Sequence, residues 1–254
     1  MDRCDAVILA GGRATPDMTE LAGTHLRALF PWKGKPFVLH AFEALRACSH
    51  IERITIIGPA DLAGVAGLTP DILLLERDTI TDNLFAAVDA LNSQTRIMVT
   101  ACDNPLLSTE AFNDFLSRIP PDAAVAYPIL PHADFLARFP GAANIPVKLR
   151  DGVWIGGGCV VIAADAVPKV RQTLLRVLTA RKSLWPMVAL LGPWFALRFA
   201  LKRVDVDDVE RRASRLIEMP FRFVPNSSPV FAIDVDDPED WVFLQQWASV
   251  QKPA

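Results

Sequence analysis

Residues 5–13 read DAVILAGGR: a short apolar run that ends in two adjacent glycines and an arginine. An unbroken apolar run of this length, closed by a turn signal, is the pattern of a strand buried on both faces. The pattern recurs in RITIIGP (53–59), DILLLE (71–76), RIMVTA (96–101) and AAVAYPIL (123–130). Between these runs lie stretches with apolar residues three and four apart: 36–48, NLFAAVDALN with Thr81-Asp82 as its cap, and TEAFNDFLSRI. Strand–helix alternation with near-continuous apolar strands predicts an α/β fold, a mostly parallel sheet covered by helices on both faces. Such sheets bind ligands beyond the carboxyl ends of their strands.

The chain has 254 residues, 51% of them hydrophobic, enough for one generous core. A formal net charge of −3 and a pI near 5.8 supply no global basic field for nucleic acid. Cys4, Cys48, Cys102 and Cys159 are scattered without C-x-x-C or zinc spacing, which points to a reducing compartment. The first residues, MDRCDAVILA, hold too short an apolar segment for a signal peptide, so the cytoplasm is the expected location. No repeat divides residues 1–254, which read as one domain with a helical elaboration at about 165–219. Within it, 184–201 has the length of a membrane span, but Pro186, Gly192-Pro193 and Arg198 break it. Two short helices are expected there, packed on the body, on a partner or against a membrane surface. Residues 132–154 read as loop and short strand, and 156–167 as a Gly-rich loop plus strand. Asp207 and Glu210 have the spacing of a capping box, and 229–236 reads as a strand feeding the last helix.

Four constellations could carry chemistry. Gly11-Gly12 at a strand end can turn successive N–H groups into one anion-binding concavity, with Arg13 as counter-charge; an ordinary tight turn has the same signature. Arg27, Lys33 and Lys35 surround a Gly-containing turn and read equally well as a solvated basic loop. Asp103 in C-D-N-P ends a central strand, where a hard oxygen ligand suits Mg²⁺ and where an Asp-Asn-Pro turn is also common. Asp234 and Asp236 alternate on an apolar segment; helix capping accounts for Asp237 and Pro238 but not for them. Two unpaired like charges there call for a cation. His25, His40, His50 and His132 share no motif and receive no catalytic role.

The order LAGGR, basic residue before a G-K-P turn, strand-D-x-P-L-L and D-V-D-x-P-E-D resembles the MobA-like NTP transferases. These belong to the glycosyltransferase-A-type nucleotidyltransferases. The resemblance is strong over 5–110 and 228–247 and weak over 130–220. It implies a three-layer, Rossmann-like α/β/α fold of the nucleotide-diphospho-sugar transferase type. It also implies Mg²⁺-dependent transfer of an NMP from an NTP to a phosphate or hydroxyl acceptor, with pyrophosphate leaving. Leu9, Ala10, Gly11, Gly12 and Arg13 would wrap base and phosphates, and Asn83 would contact base or ribose. Asp103 and Asp236, helped by Asp234, would bind the metal, and Gly156–Gly158 would line the acceptor side. Arg13, Arg27 and Lys35 would hold the leaving pyrophosphate. Where the family usually carries Lys, this chain has Arg27, and its first loop is long, with Asp17 and Glu20. For a phosphorylated or lipid-like acceptor, Lys148 or Arg181-Lys182 are candidate contacts. Two other readings are a nucleotide-binding regulatory module without turnover and a nucleotide-sugar-dependent transferase. The latter usually presents D-x-D where this chain has Cys102-Asp103-Asn104.

Overall fold

The computed structural model describes residues 3–180, 188 and 190–250. In chain order the elements are β1 (Cys4–Leu9), α1 (Pro16–Ala22), β2 (Pro31–Trp32), β3 (Lys35–Pro36), α2 (Phe37–Arg46), β4 (Ile51–Gly58) and β5 (Ile72–Leu75). There follow α3 (Ile80–Leu91), β6 (Arg96–Ala101), α4 (Thr109–Ser117), β7 (Val125–Pro131), α5 (His132–Arg138), β8 (Val147–Leu149), β9 (Gly152–Gly156) and β10 (Cys159–Ala163). The chain continues through α6 (Val167–Ala180), α7 (Pro193–Ala200), α8 (Val206–Ile217), β11 (Phe221–Val224) and α9 (Pro238–Val250).

The sheet order is β5-β4-β1-β6-β10-β7-β9-β8, with β11 beside β7. β5, β4, β1 and β6 are parallel neighbours. β10 runs against both β6 and β7, so β7 keeps the common direction, and β11 joins it in parallel. The sheet is mixed but mostly parallel, and helices flank both faces. β1 shows why its sequence is apolar throughout. Ala6 and Ile8 enter a core with Val38, Phe42 and Leu45 of α2 and Phe112 and Phe115 of α4. Val7 faces the opposite core, with Ala87 and Leu91 of α3 and Val167 of α6. With both faces covered, no polar position remains in the middle of the strand.

Four local expectations are corrected. The cap of α3 is Thr79, not Thr81-Asp82: its Oγ1 accepts the Asp82 N–H at 3.1 Å and donates to the Asp82 carboxylate at 2.7 Å. The capping box of α8 likewise starts earlier, at Asp205, with Asp208 as its reciprocal partner, while Glu210 accepts the Phe223 N–H at 3.0 Å. Both true pairs obey the cap-plus-three spacing one turn-half upstream of the pairs first apparent. Residues 132–138 form α5 rather than loop, because Phe135 and Phe139 sit fully buried on Leu130 and Ile155. Residues 229–232 are a 3-10 turn and 233–236 an unpaired extended segment rather than a strand.

β9 and β10 both oppose β7 and form one interrupted line. Ile129 faces Gly156, while Ala126 faces Val161, so the register slips by two residues at Gly157-Gly158. A Cβ on Gly157 would stand 2.8 Å from Phe231 Cβ and 2.9 Å from Pro128 Cγ. This bulge opens the floor of the cleft described next.

Candidate active site

The long first loop is tied off at its base. Arg27 N–H donates to the Gly12 carbonyl at 3.2 Å and Ala14 N–H to the His25 carbonyl at 2.9 Å. The intervening chain folds as α1, whose buried Met18 and Ala22 pack with Phe30, Trp32, Phe37 and Trp241. The loop length therefore builds a small satellite core and leaves the glycines where β1 delivers them. The N–H groups of Gly11, Gly12 and Arg13 donate to no acceptor among the described residues. They are open donors at a strand end, and since neither Gly11 nor Gly12 has a positive φ, the glycines serve close approach rather than a left-handed turn.

The glycines are demanded by side chains, too. A Cβ on Gly11 would lie 2.7 Å from Glu76 Oε2 and 3.0 Å from Asn83 Nδ2; on Gly12 it would lie 3.1 Å from Arg27 Cδ. Asn83 is buried, and its Oδ1 accepts the Arg77 N–H, which fixes the turn after β5 beneath the loop. Arg13 is not a free counter-charge: it makes a bidentate ion pair with Glu76 and donates to the Gly11 carbonyl at 3.1 Å. Lys35 is also occupied, by Glu43 of α2 at 2.7 Å.

Across β1 from Glu76 lies the carboxylate cluster. Asp103 follows β6, and its main-chain carbonyl accepts the Val235 N–H at 3.1 Å. Asn104 is buried, donates to the Val230 carbonyl at 2.6 Å and accepts the Leu106 N–H at 3.0 Å. These bonds fasten the β6 loop to 230–235 and bring Asp103 opposite Asp234 and Asp236. Arg27 forms an ion pair with Asp236, and its buried Nε has no acceptor. Desolvation, then the charges of Asp236 and Asp234, push the Asp103 carboxyl up to about 6. Asp234 is also pushed up to about 6, by desolvation and by Asp236 and Asp240. Arg27 opposes both shifts without cancelling them. Neither Asp103 nor Asp234 has an ion-pair partner among the described residues. The donors are all carboxylate oxygens, the hard ligands that Mg²⁺ or Mn²⁺ takes, and their excess negative charge fits a divalent cation. They do not form a closed ligand set: among the described residues, no three His, Cys, Asp or Glu side chains converge on one point. Asp236 is withheld by Arg27.

A cleft of about 330 Å³ opens beside Asp103 and Asp234, with Tyr127, Asn144 and Gly156–Gly158 on its walls. Sequence reading missed Tyr127, Asn144 and Glu76. Glu76 had a usable signal, since it follows the carboxyl end of β5 as Asp103 follows that of β6. Tyr127 and Asn144 reach the cleft only through long-range packing, Asn144 by donating to the Ala232 carbonyl at 2.8 Å. Lys148 lies on β8, outside the cleft lining. Arg181 and Lys182 lie outside the described residues.

The family model described as MobA-like NTP transferase domain matches residues 6–186. The chain belongs to this family and is a nucleotidyltransferase. A hypothetical transferase structure from Thermus thermophilus superposes with a TM-score of 0.82 at 30% identity, covering 94% of this chain and 99% of that one. More distant structures share the fold. CMP:2-keto-3-deoxy-manno-octonic acid synthetase complexed with CTP has a TM-score of 0.61 at 13% identity, with 99% and 100% of the two chains covered. A Mycobacterium tuberculosis protein in complex with manganese has 0.54 at 14% identity, covering 96% and 98%. No curated protein matches the chain.

Proposed function

We propose that this MobA-like transferase moves an NMP from an NTP to the phosphate or hydroxyl of a small-molecule acceptor, with Mg²⁺ as its cofactor. The acceptor oxygen attacks the α-phosphorus in line, the bond to the β-phosphate breaks, and pyrophosphate leaves with the electron pair. The observation that carries this reading is the Asp103 carbonyl–Val235 N–H clamp. It holds two ion-pair-free carboxylates side by side, where their shared charge calls for a cation.

Leu9, Ala10 and the N–H groups of Gly11 and Gly12 receive the nucleotide, with Asn83 setting the height of the loop beneath the base or ribose. Arg27, with its spare Nε, exchanges Asp236 for the leaving pyrophosphate. Arg13 contributes when it exchanges Glu76 for phosphate. Asp103 and Asp234, joined by Asp236 once Arg27 turns, hold the cation. When bound, Mg²⁺ supplies neutralisation of the phosphate charge that develops during transfer. Tyr127, Asn144 and Gly156–Gly158 orient an acceptor, phosphorylated or lipid-like, in the adjoining cleft. Positioning and charge do most of the work, as in phosphoryl transfer generally.

Pyrophosphate release from each of ATP, CTP, GTP and UTP, with Mg²⁺ and with candidate acceptors, tests the reading. Wild type should release pyrophosphate with one nucleotide and Asp103→Asn should not. Equal release by the two proteins would refute the metal assignment, and Mg²⁺-dependent binding without any release would make this a regulatory module.

A further inference from the structure

On the α3 and α6 side of the sheet a second cavity, of about 460 Å³, adjoins the reaction cleft. The two share Thr100, Ala101, Tyr127, Gly157 and Gly158, so a single molecule can extend from one into the other. Small residues make the space. Val99 belongs to the core between the sheet, α3 and α6, and Ala101, two residues on along β6, shares its face but carries only a methyl group. Gly158 follows on from the Thr100–Cys159 pair and so lies beside Ala101 with no side chain at all. α6 packs Val167 and Val170 on that core, whereas Leu174, one turn further, lines the cavity instead. Leu9, the last residue of β1, borders it from the nucleotide loop.

The lining is apolar. Among the described residues no charged side chain borders the cavity, and the Thr100 hydroxyl is already occupied by the Ala101 and Gly158 carbonyls, at 3.3 and 3.5 Å. Only the hydroxyls of Thr81 and Tyr127 stand without a partner among the described residues. Ile80, the first residue of α3, borders the cavity and is 69% exposed. The reaction cleft is the opposite, with Asp103, Asn104, Asn144 and Asp234 on its walls.

We propose that this cavity holds the hydrocarbon body of the acceptor, so that the substrate is an amphiphile, with its phosphate or hydroxyl head in the reaction cleft and an apolar body beneath Leu174. This rests on the transfer reaction proposed above and names its acceptor class. Chemistry selects the occupant. A sugar or other polyol would leave most of its hydroxyls unpartnered against such walls. A nucleoside base also presents polar edges, and the open main-chain N–H groups of Gly11 and Gly12 lie outside this lining. A hydrocarbon needs no partner, and it takes Ile80, Leu84 and Leu174 out of water. Tyr127 stands at the junction of the two spaces. Burial pushes its phenol above the ordinary value, so it keeps its proton and its hydroxyl can donate to the head group.

The test is calorimetric titration of the full chain, in Mg²⁺, with alkyl monophosphates from methyl to octyl. Affinity should rise about fourfold for each added methylene until the cavity is filled. Ile80→Gln and Leu174→Gln should each flatten that rise, while NTP binding and the melting temperature stay at the wild-type values. Ile80 is a surface position, so its variant decides if Leu174→Gln melts lower. Affinity that does not change with chain length would overturn the proposal, as would a rise that Ile80→Gln leaves as steep as in wild type. Weakened NTP binding in the variants with an unaltered chain-length series would overturn it too, by giving the cavity to the nucleoside. The transfer reaction is decided separately. A chain-length rise without pyrophosphate release from any NTP would uphold the cavity and refute the reaction, and release without a chain-length rise would do the reverse.

Discussion

The two sides of the nucleotide cleft treat charge in opposite ways. On the β5 side, Arg13 and Glu76 satisfy each other, Asn83 is buried in hydrogen bonds, and what remains open is a row of main-chain N–H groups. On the β6 side, three carboxylates share one arginine, and two of them are pushed up to about 6. A fold at equilibrium with water removes conflicts of that kind unless something else resolves them. On the function proposed above, the first side receives the nucleotide and the second a cation.

The largest expected effect separates the sides outright. Asp103→Asn should cut turnover on the order of a thousandfold or more, by loss of a metal ligand. It should melt no lower than wild type, because it removes a like charge from the cluster. A clear drop in melting temperature would show that Asp103 is a structural residue. Next comes the floor they share. Gly157→Ala should destabilise the protein by about 1–3 kcal/mol, because its Cβ meets Phe231, buried in the core, and Pro128 of β7. Gly158→Ala, with the Phe231 carbonyl 3.4 Å away, should melt near wild type, and urea curves compare the two.

A smaller effect is pH-dependent. Asp103 and Asp234 have folded values near 6, above the ordinary 3.8, so their ionised forms cost the folded state stability. The cost is present above pH 6 and disappears as pH falls toward 3.8. Metal-free protein should therefore gain stability as pH is lowered through that window. Asp208, held at about 2 by Arg198, loses its contribution only below the ordinary 3.8 and does not mask the gain. Saturating Mg²⁺ should reverse the trend, and melting curves in chelator and in Mg²⁺ compare the two slopes. The smallest effect is on the satisfied side. Arg13 is nearly half exposed, so Glu76→Gln should change stability by no more than about 1 kcal/mol. It should tighten NTP binding by freeing Arg13, and weaker binding would mean that Glu76 itself touches the nucleotide.

Much of this was legible in the sequence, and the reason is locality. β1, β4 and β6 announce themselves because both faces of their inner residues are buried, which forces a continuous apolar run, whereas β5 is an edge strand whose Leu73 and Leu75 are exposed. The Gly11-Gly12 break and the Asp103 turn mark strand ends, the positions where the fold places ligands. What stayed hidden was set across long separations. Nothing near Arg13 or Lys35 says that Glu76 and Glu43 claim them, and nothing near Tyr127 places it over Gly156. The two misplaced caps have another cause: each segment offers two cap-forming residues two apart, Thr79 or Thr81 in TITD and Asp205 or Asp207 in DVDD, and in both the earlier one caps the helix.

The central claim is that the carboxylate side is completed by a cation that the nucleotide brings or meets there. Thermal-shift titration of ATP, CTP, GTP and UTP, with and without Mg²⁺, on wild type and Asp103→Asn tests it most directly. A bound ligand at a hundred times its Kd adds about 2.7 kcal/mol, a shift easily measured. The account predicts that one nucleotide stabilises wild type strongly only with Mg²⁺, and that Asp103→Asn loses the Mg²⁺-dependent part alone. Equal stabilisation of both proteins, with or without Mg²⁺, would contradict it.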